Sequence, residues 1–162
     1  MNALDLLRND HVRVSSLIGQ VLNEINPATG QSHTRNLKQL SEAIHCHQKM
    51  LHEYFNKELE PFAKAHSLIM LNNHKLTRIC ELLDELESNQ PPEQSWIQRL
   101  EQLHELWQTH MEEAETRLFP EAESLLGATR LQQLAYDMDS IRTHQSDQDS
   151  AIYPASRLGP AH

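Results

Sequence analysis

Four long segments of the sequence place apolar residues three or four positions apart, and this spacing most constrains what the chain can fold into. The segments span about 3–26, 32–59, 62–87 and 93–119. Such spacing puts the apolar side chains on one face of an α-helix. Proline and glycine lie between the segments, so we expect loops at 27–31, 59–62 and 88–92. The pattern predicts an all-α fold, an antiparallel up-down four-helix bundle.

A shorter amphipathic segment follows Pro120 and Gly127, which we expect to kink or end the fourth helix and to cap it. This segment spans about 129–148 and carries Leu131, Leu134, Met138 and Ile141. We therefore predict a short fifth helix at the carboxyl terminus. The bundle is expected to form one domain over 1–148, followed by a flexible tail over 149–162.

Composition and charge exclude some classes of function. The 162 residues suffice for one domain with a substantial core. The formal net charge of −9 argues against nucleic acid or an anionic membrane as a partner. There is no apolar run of membrane-spanning length and no signal-peptide pattern, and the two cysteines lack the spacing of a disulfide framework. We expect a cytoplasmic location.

The chain holds 11 histidines, and single ones interrupt the apolar faces of the predicted helices. His11 and His47 are equally distant from the first loop, so they lie at one height in an antiparallel pair. His110 interrupts the fourth helix, and the third offers His66 on its apolar face or His74 on its flank, each about one turn from the level of His110. We expect a metal site in the interior, because imidazole is a common metal ligand. The competing interpretation is a hydrogen-bonded core histidine on each helix. The apolar face predicted for the third helix comprises Phe62, His66, Ile69, Asn73, Leu76, Cys80 and Leu83.

Several of these segments resemble the hemerythrin-like family, which includes bacteriohemerythrins and HHE domains. LRNDHVRVSSLIGQVLNEI is similar to the first-helix ligand segment of the family, LWQTHMEEAE to its fourth-helix segment, and TRLFPEAESLL to a segment that closes helices of HHE domains. His47 is followed at the family spacing by Pro61 and His66. The resemblance covers about 3–126. It implies a four-helix bundle around a non-heme di-iron centre that binds oxygen or senses oxygen, iron or nitric oxide.

The resemblance also implies a set of ligands, of which this chain keeps part. The ligand positions of the family correspond to His11, His47, Leu51, His66, Met70, His110 and Glu115. Leu51 and Met70 are apolar, and we expect both to lie buried in the centre. In the HHE pattern both carboxylate positions are lost, to Leu51 and Ala114. Because carboxylates bridge the cations of a di-iron site, we expect fewer than two irons per chain.

Glu115 lies five residues after His110, about 140° further around an α-helix, so it needs a widened turn such as a π-bulge to point inward. The predicted metal ligands are thus His11, His47, His66, His110 and Glu115, with His74 as the alternative on the third helix. No catalytic residue is predicted.

The expected cofactor is non-heme iron, either mononuclear or in an incomplete di-iron centre, with zinc or heme as alternatives. The expected partners are this metal ion and a small diatomic ligand, while a protein partner or a homodimer stays open. The alternative function is a degenerate bundle that binds one metal, heme or none and acts through protein contacts. A redox enzyme would in addition need an open coordination position and access for a substrate.

Overall fold

The structure, a computed structural model, describes residues 1–24, 32–88 and 94–152. Its α-helices are α1 Ala3–Asn23, α2 Ser32–Met50, α3 Asn56–Leu59, α4 Ala63–Ser88, α5 Gln94–Glu113 and α6 Phe119–Ile152. Two π-helical turns, Leu51–Phe55 and Ala114–Leu118, join α2 to α3 and α5 to α6 without a break. The described residues contain no strand. The predicted antiparallel four-helix bundle with a carboxyl-terminal extension is confirmed.

α1 begins at a capping box and provides one wall of the core. The side chain of Asn2 accepts a hydrogen bond from the backbone N–H of Asp5, and the carboxylate of Asp5 accepts one from the backbone N–H of Asn2. This reciprocal pair satisfies backbone donors that a helix start otherwise leaves without partners. The buried face of α1 packs against α2, α5 and α6. One side of α1 therefore faces the bundle axis along its whole length.

The core is built from aromatic and leucine side chains in several layers. Trp96, Trp107, Phe55 and Phe119 are fully buried. The indole N–H of Trp96 donates to the backbone oxygen of Leu86 at 2.9 Å, which ties the end of α4 to the start of α5. Trp107 and Phe119 lie nearer the middle of the bundle and contact the histidines there. Burial of such large rings contributes several kcal/mol each to stability.

The structure corrects the orientation of α4 that the sequence pattern predicts. The buried residues of α4 are Ala65, Asn72, Leu76, Ile79, Leu82, Leu83 and Leu86. At its amino-terminal end this face is turned by about one residue from the predicted one, so His66 and Met70 point to solvent. The physical reason is that small Ala65 and polar Asn72 occupy core positions there, whereas the strongly apolar Met70 does not. A pattern of hydrophobicity therefore selects the wrong face.

Gly127 divides α6 into two helical parts. Its backbone angles are φ 77° and ψ 167°, outside the helical region, as expected of a glycine that ends a helix. The part that follows buries Leu131, Leu134, Met138 and Ile141, so the predicted fifth helix is confirmed. α6 packs against α1.

The structure tests only some of the predicted boundaries between helices, loops and tail. The expected loop at 59–62 matches the gap between α3 and α4. The other two loops fall mostly outside the described residues, since 25–31 and 89–93 are not among them. α6 continues to Ile152, into the predicted tail, and 153–162 lies outside the described residues, so the division at residue 148 stays a prediction. Within the described ranges, no helix is long and apolar enough to cross a membrane.

Candidate metal centre

Three histidines from three helices meet in the middle of the bundle. His11 on α1, His47 on α2 and His110 on α5 are all buried. Each offers one ring nitrogen such that all three atoms lie within 4.8 Å of one another. Metal–nitrogen bonds of about 2.1 Å hold ligand atoms within about 4 Å of one another. Small movements of the rings therefore suffice to bind one ion, and the level heights predicted for His11 and His47 are confirmed by a centroid separation of 5.0 Å.

Aromatic side chains enclose the cluster. Trp107 meets His11 and His47 edge-on, with ring centroids 5.7 and 5.4 Å away, and lies 4.9 Å from His110. Phe119 stacks on His11 with an interplanar angle of 6°. These contacts restrict rotation of the imidazoles and exclude water from their faces. The three imidazoles are buried among aromatic rings, and electrostatic interactions are strong in such an environment.

Two carboxylates fix the protonation of two of the rings. Nδ1 of His11 lies 2.8 Å from Oε1 of Glu115, and Nδ1 of His47 lies 3.2 Å from Oδ2 of Asp10. Because a carboxylate accepts hydrogen bonds, each Nδ1 carries the proton and donates it. The lone pair of each ring is then on Nε2, the atom available for a metal ion. Carboxylate–histidine pairs of this kind orient metal ligands in proteins.

The Nε2 atoms lack strong partners of their own. Nε2 of His47 lies 3.3 Å from Nε2 of His110. Nε2 of His11 and Nδ1 of His110 are buried and have no hydrogen-bond partner among the described residues. In the metal-free cluster, His110 donates from Nε2 to His47, which leaves the lone pair on its own Nδ1 without a partner. A cation would take the lone pairs of the three Nε2 atoms only with the proton of His110 on Nδ1, which has no hydrogen-bond partner among the described residues.

Burial keeps these imidazoles neutral at physiological pH. It lowers the pKa of His47 and of His110 well below 6.5, and the neighbouring histidines lower both pKa values further. Burial also lowers the pKa of His11, although the hydrogen bond to Glu115 opposes that shift. Neutral imidazole is the form that binds metal ions. Protons therefore compete weakly with a metal ion for this site at physiological pH.

Glu115 reaches the cluster by way of a π-helical turn, as the sequence analysis required. The turn spans Ala114–Leu118, and the backbone N–H of Phe119 donates to the oxygen of Ala114, five residues earlier. Without the widened turn, the 140° offset from His110 would carry this side chain away from the centre. In the structure Glu115 accepts a hydrogen bond from His11 while its side chain stays 38% exposed. Its role as a metal ligand stays a prediction.

The structure does not bring the other predicted residues to the cluster. His66 is exposed and donates from Nε2 to the backbone oxygen of Glu60 at 2.6 Å, and His74 is exposed as well. Met70 is 74% exposed, so its predicted burial is wrong for the reason given for α4. Leu51 is 2% exposed, which confirms its predicted burial. Where the family resemblance leads one to expect a histidine from the third helix, α4 supplies none to this cluster.

Asp10 is a residue that sequence reasoning missed. It is only 6% exposed, and it contacts both His47 and, through its other carboxylate oxygen, Arg142 of α6. The available signal was its position directly before His11 and three residues after Leu7, which places a carboxylate on the buried face of α1. Arg142 had no comparable signal, because its partner lies at the other end of the chain.

Fold and site together define a helical bundle with three buried histidines close together in its interior. The structure is similar to the crystal structure of a hemerythrin HHE cation binding domain-containing protein, the Rv2633c homolog from Mycobacterium kansasii. The TM-score is 0.76 at 19% sequence identity, over 99% of this chain and 95% of that one. At this identity the likeness establishes the fold, which is the fold predicted from the sequence resemblance. Comparison with protein-family models and with curated proteins gave no match.

Proposed function

We propose that this protein binds one metal ion per chain through the Nε2 atoms of His11, His47 and His110. The observation that carries the proposal is the convergence of three buried imidazoles, with nitrogen atoms within 4.8 Å of one another. The carboxylates at two of the Nδ1 atoms support it, since they turn Nε2 toward the cluster. A buried polar atom without a hydrogen bond, such as Nε2 of His11, costs about 1–3 kcal/mol, and a bound cation removes this cost.

Iron is the ion that we propose, with zinc as the alternative. Three neutral imidazoles suit either metal. The family resemblance favours iron, and the similar structure is described as a cation-binding domain. A second ion is not supported, because Leu51 stands in place of a carboxylate and His66 faces solvent. Heme is disfavoured, since Trp107 and Phe119 pack directly against the imidazole rings.

We further propose that the site binds or senses oxygen or nitric oxide, or senses iron itself. A metal ion held by three histidines keeps coordination positions open for a small exogenous ligand. The partly exposed carboxylate of Glu115 joins the cluster to solvent and offers a route for such a ligand or for the ion. The aromatic enclosure favours small, weakly polar molecules over larger substrates.

The test is the metal content after anaerobic reconstitution with Fe²⁺ or Zn²⁺ and removal of unbound metal. We expect about one ion per chain for the natural sequence and none for His47→Gln. His74→Ala is the matched control, because it removes an exposed histidine from α4, and it should retain the ion. Circular dichroism establishes that each variant is folded. Addition of nitric oxide to the iron form should change its visible spectrum.

Two outcomes would overturn the proposal. Two ions per chain would mean that residues outside the cluster complete a di-metal centre. Absence of any ion from the folded natural protein would favour the alternative, a bundle without metal that acts through protein contacts. The hydrogen bond between His47 and His110 is the observation that favours this alternative, because it satisfies part of the cluster without a cation.

A further inference from the structure

Asp10 is a buried carboxylate with two different partners. Its Oδ2 accepts the hydrogen bond from Nδ1 of His47 at 3.2 Å, and its Oδ1 forms an ion pair with Nη2 of Arg142. A buried charge without a counter-charge is strongly destabilising, so the ion pair explains how α1 tolerates an aspartate on its apolar face. Both oxygens are engaged, and the orientation of the carboxylate is fixed from two sides.

Arg142 connects the carboxyl-terminal part of the chain to the histidine cluster. It lies on α6 beyond the break at Gly127, outside the region over which the sequence resembles the hemerythrin-like family. Ile141 beside it is buried, as is Met138 one turn earlier, so this part of α6 is held against the bundle. The guanidinium is therefore presented to Asp10 by a packed helix.

We propose that Asp10 and Arg142 act together as a clamp that sets the tautomer and ring orientation of His47 for metal binding. The inference rests on the proposed function, and it makes the end of α6 part of the metal centre. Arg142 is a donor only, so it requires an oxygen of Asp10 on its side. The remaining oxygen faces His47 and requires a proton on Nδ1, which leaves the lone pair of Nε2 toward the cluster. Both are positioning residues, since neither is placed to touch the metal ion.

The Asp10→Asn variant distinguishes this clamp from a merely structural ion pair. The side chain of asparagine has a single oxygen. This oxygen accepts the hydrogen bond from Arg142, so the amide NH₂ is turned toward His47. Nδ1 must then accept, and the proton moves to Nε2, the atom needed by the metal. An aspartate-to-asparagine change is known to invert the tautomer of a partner histidine in this way. Without the clamp the amide is free to rotate, and the tautomer of His47 stays as it was.

The experiment has two readouts on the folded protein. Nitrogen-15 NMR of histidine-labelled, metal-free protein at pH 7.5 reports which ring nitrogen of His47 carries the proton. Competition titration with a chelator reports the affinity for Zn²⁺. We expect Nδ1-protonated His47 in the natural protein and Nε2-protonated His47 in Asp10→Asn. Loss of such outer contacts weakens metal binding about 10–100-fold, and we expect this for Asp10→Asn, with about tenfold for Arg142→Gln.

Arg130→Gln is the matched control. It removes another arginine of α6 that forms an ion pair, with Glu58, away from the histidine cluster. It should leave both the tautomer and the zinc affinity unchanged. The clamp is overturned if Asp10→Asn keeps Nδ1-protonated His47, or if Arg130→Gln weakens zinc binding as much as Arg142→Gln does. If the tautomer inverts as expected while the natural protein binds no zinc, the clamp stands and the proposed metal function fails.

Discussion

Buried imidazoles make this protein sensitive to acid at the scale of single residues. Burial lowers the pKa of His11, His47 and His110 below 6.5 in the folded state, so the unfolded chain takes up protons that the folded chain resists. The contribution of these neutral histidines to the unfolding free energy is therefore fully present well above pH 6.5. It is lost as the pH falls below 6.5 toward the pKa values of the folded state. The slope is about 1.4 kcal/mol per pH unit for each such histidine.

The pH prediction is checked by urea unfolding of metal-free protein at pH 7.5 and pH 5.5. His47→Gln should reduce the loss of unfolding free energy between these two values by about 1 kcal/mol, because it removes one buried titrating group. His74→Gln removes an exposed histidine and should behave like the natural protein. If His47→Gln loses as much unfolding free energy between pH 7.5 and pH 5.5 as the natural protein does, His47 is not held neutral in the folded state.

Leu51 and Met70 give a second prediction at the residue scale. Both are apolar at positions where the family resemblance implies metal ligands, yet one is 2% and the other 74% exposed. Leu51→Glu places a carboxylate in the interior one turn after His47, and it should lower the unfolding free energy of metal-free protein by about 3 kcal/mol. Met70→Glu should change it by less than about 0.5 kcal/mol. If urea unfolding shows that Leu51→Glu and Met70→Glu lower the unfolding free energy by similar amounts, Met70 is buried and the orientation of α4 is wrong.

At the scale of the element, the break in α6 depends on Gly127. A residue with a side chain is strained at φ 77° and ψ 167°. An added Cβ would meet nothing within 4 Å, so the cost of substitution comes from the backbone alone. We expect Gly127→Ala to lower the unfolding free energy by about 1–3 kcal/mol.

Gly19 provides the control for this prediction, because it lies inside α1 and an added Cβ there also meets nothing within 4 Å. Gly19→Ala should stabilise the protein by about 0.5–1 kcal/mol, since alanine favours helix. Equilibrium unfolding of both variants measures the two effects. If both substitutions raise the unfolding free energy, the backbone at residue 127 relaxes into a helical conformation at little cost.

The elements also show how far the sequence predicts this structure. The apolar faces of α1, α2 and α5 are strong and regular, so the pattern places His11, His47 and His110 on buried faces. The equal heights of His11 and His47 follow from the position of the first loop. The π-helical turn at Glu115 follows from the sequence only on the condition that Glu115 points inward, because an ordinary helix would turn it away. Nothing in the sequence indicates the second π-helical turn, Leu51–Phe55, because its residues suit an α-helix equally well. For α4 the pattern selects the wrong face, because polar Asn72 is buried and apolar Met70 is not.

At the scale of the whole molecule, the limit of sequence reasoning is the pairing of distant residues. Asp10 and Arg142 meet because the end of α6 returns to α1. A periodic pattern within one helix gives no information about which partner a charge finds on another. The cluster was predictable because loop lengths fix the relative heights of neighbouring helices, whereas the carboxylate–guanidinium contact behind it depends on tertiary packing.

The same connectivity predicts that metal binding stabilises the entire fold. The cluster joins α1, α2 and α5, and the unfolded chain does not bring its histidines together, so an ion binds the folded state preferentially. At a free metal concentration of 100 times Kd the stabilisation is about 2.7 kcal/mol. For a chain of this length each kcal/mol raises Tm by about 2–4 °C. We therefore expect Tm to rise by about 5–10 °C.

Thermal unfolding followed by circular dichroism, with Zn²⁺ added stepwise, measures this rise. Above one equivalent Tm should rise with the logarithm of the free Zn²⁺ concentration, and the rise should reverse with a chelator and vanish in His47→Gln. His66→Ala is the informative control, because the family resemblance makes His66 a ligand while the structure places it on the surface. If His66→Ala loses the metal-dependent rise in Tm, α4 turns toward the cluster when metal binds, and a single three-histidine site is the wrong description of this centre.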